Sequence, residues 1–154
     1  MGSLSRLGEL CSSGFAIALH IRFTTPKLLF QTYPKAWMEI YSAEGLVLKD
    51  PTVLWGFSNT GTALWSSLGD LDAEGVLERA GKHGLIYGFT FAYDDGDSKS
   101  ISSFSRDDRE FEPSEIKTIT EIVMSLHRAT AEVEKLPETL QSELRSMSIE
   151  FSHA

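Results

Sequence analysis

Leu4, Leu7 and Leu10 recur every three residues, the spacing of one helix face, and Ser12-Ser13-Gly14 closes that short helix. The run FAIALHIRF (15–23) is apolar and rich in strand formers and reads as a strand. Thr24-Thr25-Pro26 reads as a turn, and Leu28 to Gln31 as a second, short strand. Thr32 or Tyr33 caps a helix reaching about Ala43. Pro34 lies in its first turn, where a missing N–H costs nothing, and Gly45 supplies the left-handed stop. Asp50-Pro51 is a second cap signal, opening a short helix through about Ser58. Residues 59–69 (NTGTALWSSLG) are loop-like, with Trp65 the one large aromatic among them. Asp70 or Asp72 starts a helix through about Lys82, closed by Gly84. LIYGFTFAY (85–93) is apolar on both faces, as a central strand covered on both sides would be. Asp94-Asp95-Gly96-Asp97 reads as a hairpin turn, and Lys99 to Ser105 as its partner strand. A charged link (106–110) leads to a long helix opened by Pro113 or Ser114. Its apolar stripe runs through Ile116, Ile119, Ile122, Val123, Leu126 and Val133. Leu136-Pro137 breaks it, and a last helical pattern carries Leu140, Leu144 and Met147.

Strands here neighbour hairpins more than crossovers. The order predicts an α+β chain: a three-layer α-β-α sandwich around a largely antiparallel sheet of about five strands. A length of 154 residues fits one domain with one sizeable core, and 42% apolar with 23% charged residues is ordinary for a globular protein. A net charge of −8, with no basic run, argues against direct binding to a nucleic-acid backbone. Cys11 is alone, so no internal disulfide forms, which suits a reducing cytoplasm. No apolar run approaches the roughly 20 residues that span a bilayer, and MGSLSRLGELCSSGF lacks the apolar core of a signal peptide. A cytoplasmic location away from membranes is the expectation.

The chemistry concentrates between residues 33 and 52. Tyr33, Trp37 and Tyr41 recur every four residues, so on a helix they share one face. Such a stripe can close around an apolar ligand and still donate hydrogen bonds to its polar head. Asp50 and Thr52 follow with a carboxylate and a hydroxyl. The plainer alternative is core packing for the aromatics and an N-cap for Asp50, and a carboxylate with two oxygens can cap and bind at once. Trp65 in its loop serves equally as a hydrophobic plug, and Ser103 as a polar strand position. The acidic cluster 94–97 lacks the ligand spacing and distal Glu of a calcium loop. His20, His83, His127 and His153 are scattered without metal-ligand spacing, and no nucleophile elbow or phosphate loop occurs. No metal, cofactor or enzymatic activity is expected.

The elements GFAIALHIRF (14–23), YPKAWMEIY (33–41), DPT (50–52), Trp65, GLIYGFTF (84–91) and SISSFS (100–105) stand in an order and spacing that resembles a known family. It is the autoinducer-binding domain of LuxR-type quorum-sensing transcriptional regulators, which bind N-acyl-homoserine lactones. The resemblance covers roughly Gly14 to Arg128 and implies the same sandwich, with the ligand between the sheet and one helical layer. It implies that Trp37 donates to the lactone carbonyl, Tyr33 to the amide carbonyl, and that Asp50 accepts from the amide N–H. Thr52 and Ser103 add or relay a bond to the amide carbonyl, while Tyr41 and Trp65 wall the head group. The family also implies dimerisation and coupling of ligand to folding. Residues 1–135 would form the sensor domain. Residues 136–154 would be a linker and stub of a missing helix-turn-helix domain, so this chain itself would not read DNA. The alternative is a naturally short homologue that pairs with full-length regulators as an anti-activator.

Overall fold

A computed structural model describes residues 2–23, 25–132 and 137–143. Helix α1 (Gly2–Leu10) leads into the antiparallel hairpin β1 (Gly14–Arg22) and β2 (Thr25–Gln31). Three helices, α2 (Lys35–Ala43), α3 (Pro51–Ser58) and α4 (Val76–Gly81), follow, with β3 (Gly61–Leu64) between the last two. The hairpin β4 (Tyr87–Asp94) and β5 (Lys99–Arg106) then precedes the long α5 (Pro113–Ala129). The sheet has five strands in the order β2-β1-β5-β4-β3, and every pair is antiparallel. Helices α1 and α5 cover one face, and α2, α3 and α4 the other, which is the three-layer sandwich the sequence predicts.

What positions the site is a division of side-chain size between the two sheet faces. Alternate residues of a strand point to opposite faces. In β1 the large residues Phe15, Ile17 and Leu19 point one way. They pack with Phe30, Phe89, Phe91 and Phe104 against Leu4 and Leu7 of α1 and Ile119 and Val123 of α5. The other face is floored by small residues. Gln31, Ala16, Ser103, Thr90 and Ala63 form one row across all five strands, and Ala18, Ile101 and Ala92 lie in the next. The first face is a filled core. The second leaves a gap beneath the helices.

Several predicted boundaries shift for identifiable reasons. Thr25 and Pro26 belong to β2 rather than to a turn. β2 is an edge strand, where a residue without an N–H is tolerated. Thr24 lies outside the described residues. Pro34 occupies the N-cap position of α2, so Tyr33 sits one residue ahead of the helix, its N–H donating to Gln31 Oε1 at 2.8 Å. The loop expected at 59–69 contains β3. Helix α4 starts later than predicted, although the Asp72 carboxylate still accepts from Val76 N and Leu77 N at 2.7 and 3.0 Å. The acidic turn is a hairpin closed by its own carboxylates, Asp95 Oδ1 accepting from Asp97 N and Ser98 N at 2.8 Å each. Glu112 and Glu115 form a reciprocal capping box on α5. Val133, Leu136, Leu144 and Met147 lie outside the described residues. Of the expected stub at 136–154 only 137–143 are described, helical over 138–143.

The C-terminal end of α5 is tied to the sheet by two histidines. His20, with φ +56° at a bulge in β1, presents Nε2 to the His127 carbonyl at 2.9 Å and to Thr130 Oγ1 at 3.0 Å. A carbonyl only accepts, so Nε2 carries the proton and Nδ1 accepts from Ser98 Oγ at 2.7 Å. His127 Nε2 donates likewise to Asp95 Oδ2 at 2.7 Å. Burial, and then the neighbouring His127, lower the His20 pKa. The His127 hydrogen bond leads in holding Asp95 down at about 2. A histidine kept neutral when folded takes up a proton only on unfolding. Stability should therefore decline as pH falls below about 6.5, the unfolded value. It should decline again through the carboxylate range towards the folded value of Asp95. Urea midpoints between pH 8 and pH 3 should show both losses, and His20→Asn, which tolerates positive φ, should remove the first.

Candidate functional site

The gap over the small-residue floor is a cavity of about 420 Å³ between the sheet and α2, α3 and α4. That is within the usual range for a small-molecule site. All seven residues singled out in the sequence line it: Tyr33, Trp37, Tyr41, Asp50, Thr52, Trp65 and Ser103. They gather for local reasons. Trp37 and Tyr41 are one turn apart on α2, with rings in edge contact at 6.0 Å. Asp50 caps α3, and Thr52 lies in its first turn. Trp65 opens a 3-10 turn after β3 and lies on Gly88 of β4. A Cβ there would stand 2.4 Å from its indole. Gly56 likewise lets α3 approach Ile101 of β5 closely, closing the roof.

The centre of the polar end is the Asp50 carboxylate. Oδ1 accepts from Thr52 N at 2.9 Å and Thr52 Oγ1 at 2.7 Å, while Oδ2 accepts from Tyr41 OH at 2.7 Å. Burial raises the Asp50 pKa, and these three bonds oppose the rise. The Tyr41 and Thr52 hydroxyl hydrogens are therefore committed to Asp50. The Ser103 hydroxyl donates to Thr90 Oγ1 at 3.1 Å, which donates on to the Ser102 carbonyl at 2.8 Å. Two fully buried donors of the lining remain without protein partners. Among the described residues, three buried side-chain polar atoms have no hydrogen bond, and two of them, Tyr33 Oη and Trp65 Nε1, belong to cavity-lining residues. Burial, reinforced by the Asp50 charge, holds the Tyr33 phenol well above its ordinary pKa, so it stays a donor. His83 backs Trp37 from outside, ring to ring at 5.4 Å.

Sequence reading missed much of the lining. Gln31 is a buried polar residue of the floor, and Ala16, Ala18, Leu29, Val53 and Ile101 complete its apolar stretch. Val47, Leu48, Leu54 and Phe57 line the cavity and are also exposed, Leu48 by 76%, and so mark its mouth. The alternation of large and small residues in FAIAL was the available signal for the floor. The mouth comes from side chains on two separate segments and had none. Two other depressions, of about 610 and 520 Å³, are open surface clefts that contain none of the seven residues.

The histidine pair does not reach this site. Ser100, His127 and Asp95 are linked in series, with Ser100 Oγ 2.7 Å from His127 Nδ1. Ser100, however, is buried and its Oγ accepts the His20 backbone N–H at 3.0 Å, so it offers no accessible nucleophile. Among the described residues no group of His, Cys, Asp and Glu could hold a metal ion, and no helix is long and apolar enough to cross a membrane.

Comparison with known proteins agrees with this geometry. Residues 14–132 match the family described as the autoinducer binding domain. The transcriptional activator protein EsaR of Pantoea stewartii subsp. stewartii is 26% identical over 72 residues, which are 44% of this chain and 29% of EsaR. Among solved structures, SdiA in complex with octanoyl-rac-glycerol superposes with a TM-score of 0.61 at 24% identity, covering 88% of this chain and 62% of that one. CepR2 of Burkholderia cenocepacia, an N-acylhomoserine-lactone-dependent LuxR-family transcription factor, gives 0.58 at 20% identity, covering 84% and 77%. At these identities the two structures speak for the fold. This chain spans under a third of EsaR and under two thirds of the SdiA chain. The sequence match over most of the chain, the sandwich and the buried polar-ended cavity together make this chain a member of the autoinducer-binding domain family of LuxR-type quorum-sensing regulators.

Proposed function

We propose that the cavity binds one N-acyl-homoserine lactone, and that the bound ligand stabilises the folded domain and its dimer. The observation that carries this reading is the mixed lining of the cavity. It holds a buried carboxylate and unpartnered donors within a largely apolar wall, and it also includes exposed Val47, Leu48, Leu54 and Phe57. An acyl lactone has the matching shape, a head with two carbonyls and one N–H joined to an apolar tail. Asp50 accepts the amide N–H, the one acceptor role a carboxylate held by three donors can still fill. Trp37 donates to the lactone carbonyl and Tyr33 to the amide carbonyl. Tyr41 and Thr52 orient Asp50, and Ser103 shapes the floor.

The tail lies over Ala18, Leu29 and Ile101 and emerges at the mouth. Ligand enclosed in this way adds apolar burial and shifts the folding equilibrium by mass action. In a longer regulator that stabilisation would license DNA binding by a further domain, in the cytoplasm and as a dimer.

Thermal unfolding with lactones of increasing chain length tests the reading. Tm should rise with each added methylene, which contributes about 0.8 kcal/mol, until the tail leaves the mouth. Trp37→Phe, which keeps a ring but removes the N–H, should lower affinity about tenfold. A folded protein whose Tm no lactone raises would refute the proposal.

A further inference from the structure

Trp65 carries a donor left unused once Tyr33 and Trp37 are assigned to the two carbonyls of an acyl lactone. Its side chain is nine-tenths buried, at 7% exposure, and Nε1 has no partner in the protein. An indole N–H only donates, so an acceptor alone can satisfy it. No polar side chain among the described residues accepts from it. Both Asp50 oxygens receive Tyr41 and Thr52, Gln31 Oε1 receives the Tyr33 N–H, and Thr90 Oγ1 receives Ser103. The ring is also held in place. Its fused bond lies over Gly88, where the backbone has no side chain to push it aside, and the 3-10 turn is closed by Leu68 N donating to the Trp65 carbonyl at 3.0 Å. A hydrophobic plug could be phenylalanine or leucine at no polar cost. A buried, fixed and unpaired donor in a cavity wall is what a ligand acceptor would complete.

We infer that Trp65 donates a hydrogen bond to the ligand, and that the ligand carries a third acceptor oxygen beyond the two carbonyls served by Tyr33 and Trp37. This rests on the acyl-lactone reading of the cavity. Within that class two oxygens qualify: one at carbon 3 of the acyl chain, as a keto or hydroxyl group, or the lactone ring oxygen. The first makes Trp65 the residue that selects chain oxidation state, and the second makes it a reader of the ring.

The test pairs protein and ligand deletions. Trp65→Phe is made together with an isosteric variant carrying benzothienylalanine at position 65, which keeps the bicyclic shape and loses only the N–H. Calorimetric Kd values are compared for a simple acyl lactone, its 3-oxo form and its thiolactone, all of one chain length. The N–H is expected to add about tenfold in affinity for the ligand bearing the partner oxygen and little for the ligand lacking it. A ratio that collapses between the 3-oxo and simple lactones places the bond on the chain. One that collapses between lactone and thiolactone places it on the ring. Equal losses for all three ligands, or no loss in the isosteric variant, would overturn the inference while leaving the acyl-lactone reading intact. Failure of every ligand to bind wild-type protein would remove both.

Discussion

Gly88→Ala is expected to destabilise the domain by about 3 kcal/mol, at the upper end of overpacking costs. For a chain of this size that corresponds to a fall in Tm of roughly 6–12 °C. A Cβ at this position would lie 2.4 Å and 2.5 Å from two ring atoms of Trp65 and 2.7 Å from the Phe104 carbonyl oxygen. The carbonyl belongs to the neighbouring strand in the centre of the sheet and cannot retreat without breaking its ladder. The indole must move instead, towards the cavity that it lines. The substitution should thus remove stability and ligand affinity together. Gly8→Ala is the matched control. Gly8 lies within α1 with nothing within 4 Å of its ideal Cβ, so alanine there should stabilise by about 0.5–1 kcal/mol. Urea unfolding of the two variants should give shifts of opposite sign. A Gly88→Ala protein as stable as wild type would mean that Trp65 is not seated on the strand.

The contrast between these glycines shows what sequence could and could not reveal. Helix and strand periodicity is local, so α5, β1, β4 and β5 could be read directly, and the cap at Asp50 appeared as Asp-Pro. The seven candidate residues could be named because five of them stand in two short strings, 33–41 and 50–52, and the family resemblance tied Trp65 and Ser103 to those strings. Gly88 inside GFTF looked like an ordinary strand residue, since its reason is an indole more than twenty residues earlier in the chain. The short edge strand β3 carries no alternation that outweighs its Gly and Thr residues. Tyr33 appeared to continue the helical stripe, whereas Pro34 is the N-cap of α2, which leaves Tyr33 outside the helix, and Gln31 fixes its backbone. The His20–His127 pairing joins residues 107 apart and leaves no periodic trace.

Asp50→Asn separates the two roles of this residue. Asparagine caps helices about as well as aspartate, and the change removes a carboxylate that the fold carries at a cost. Because the folded pKa of Asp50 is raised, chiefly by burial, the folded state holds this proton more tightly than the unfolded chain does. Its contribution to stability is therefore greatest below the ordinary carboxylate pKa and is lost as pH rises through the folded value. At neutral pH, substitution relieves that charge but turns an amide NH2 towards donors, from Tyr41 or from Thr52, that now lack an acceptor. The opposing terms, each of about 1–2 kcal/mol, should leave stability without ligand within about 1 kcal/mol of wild type. Ligand affinity has no such compensation. The amide N–H of an acyl lactone loses a charged acceptor in a dry site, worth about 1.5–3 kcal/mol, so affinity should fall on the order of a hundredfold. Paired measurements of urea unfolding without ligand and Kd with it should diverge in this way. If stability falls by several kcal/mol and the surviving folded protein binds as wild type does, Asp50 is a cap and the ligand's N–H is held elsewhere.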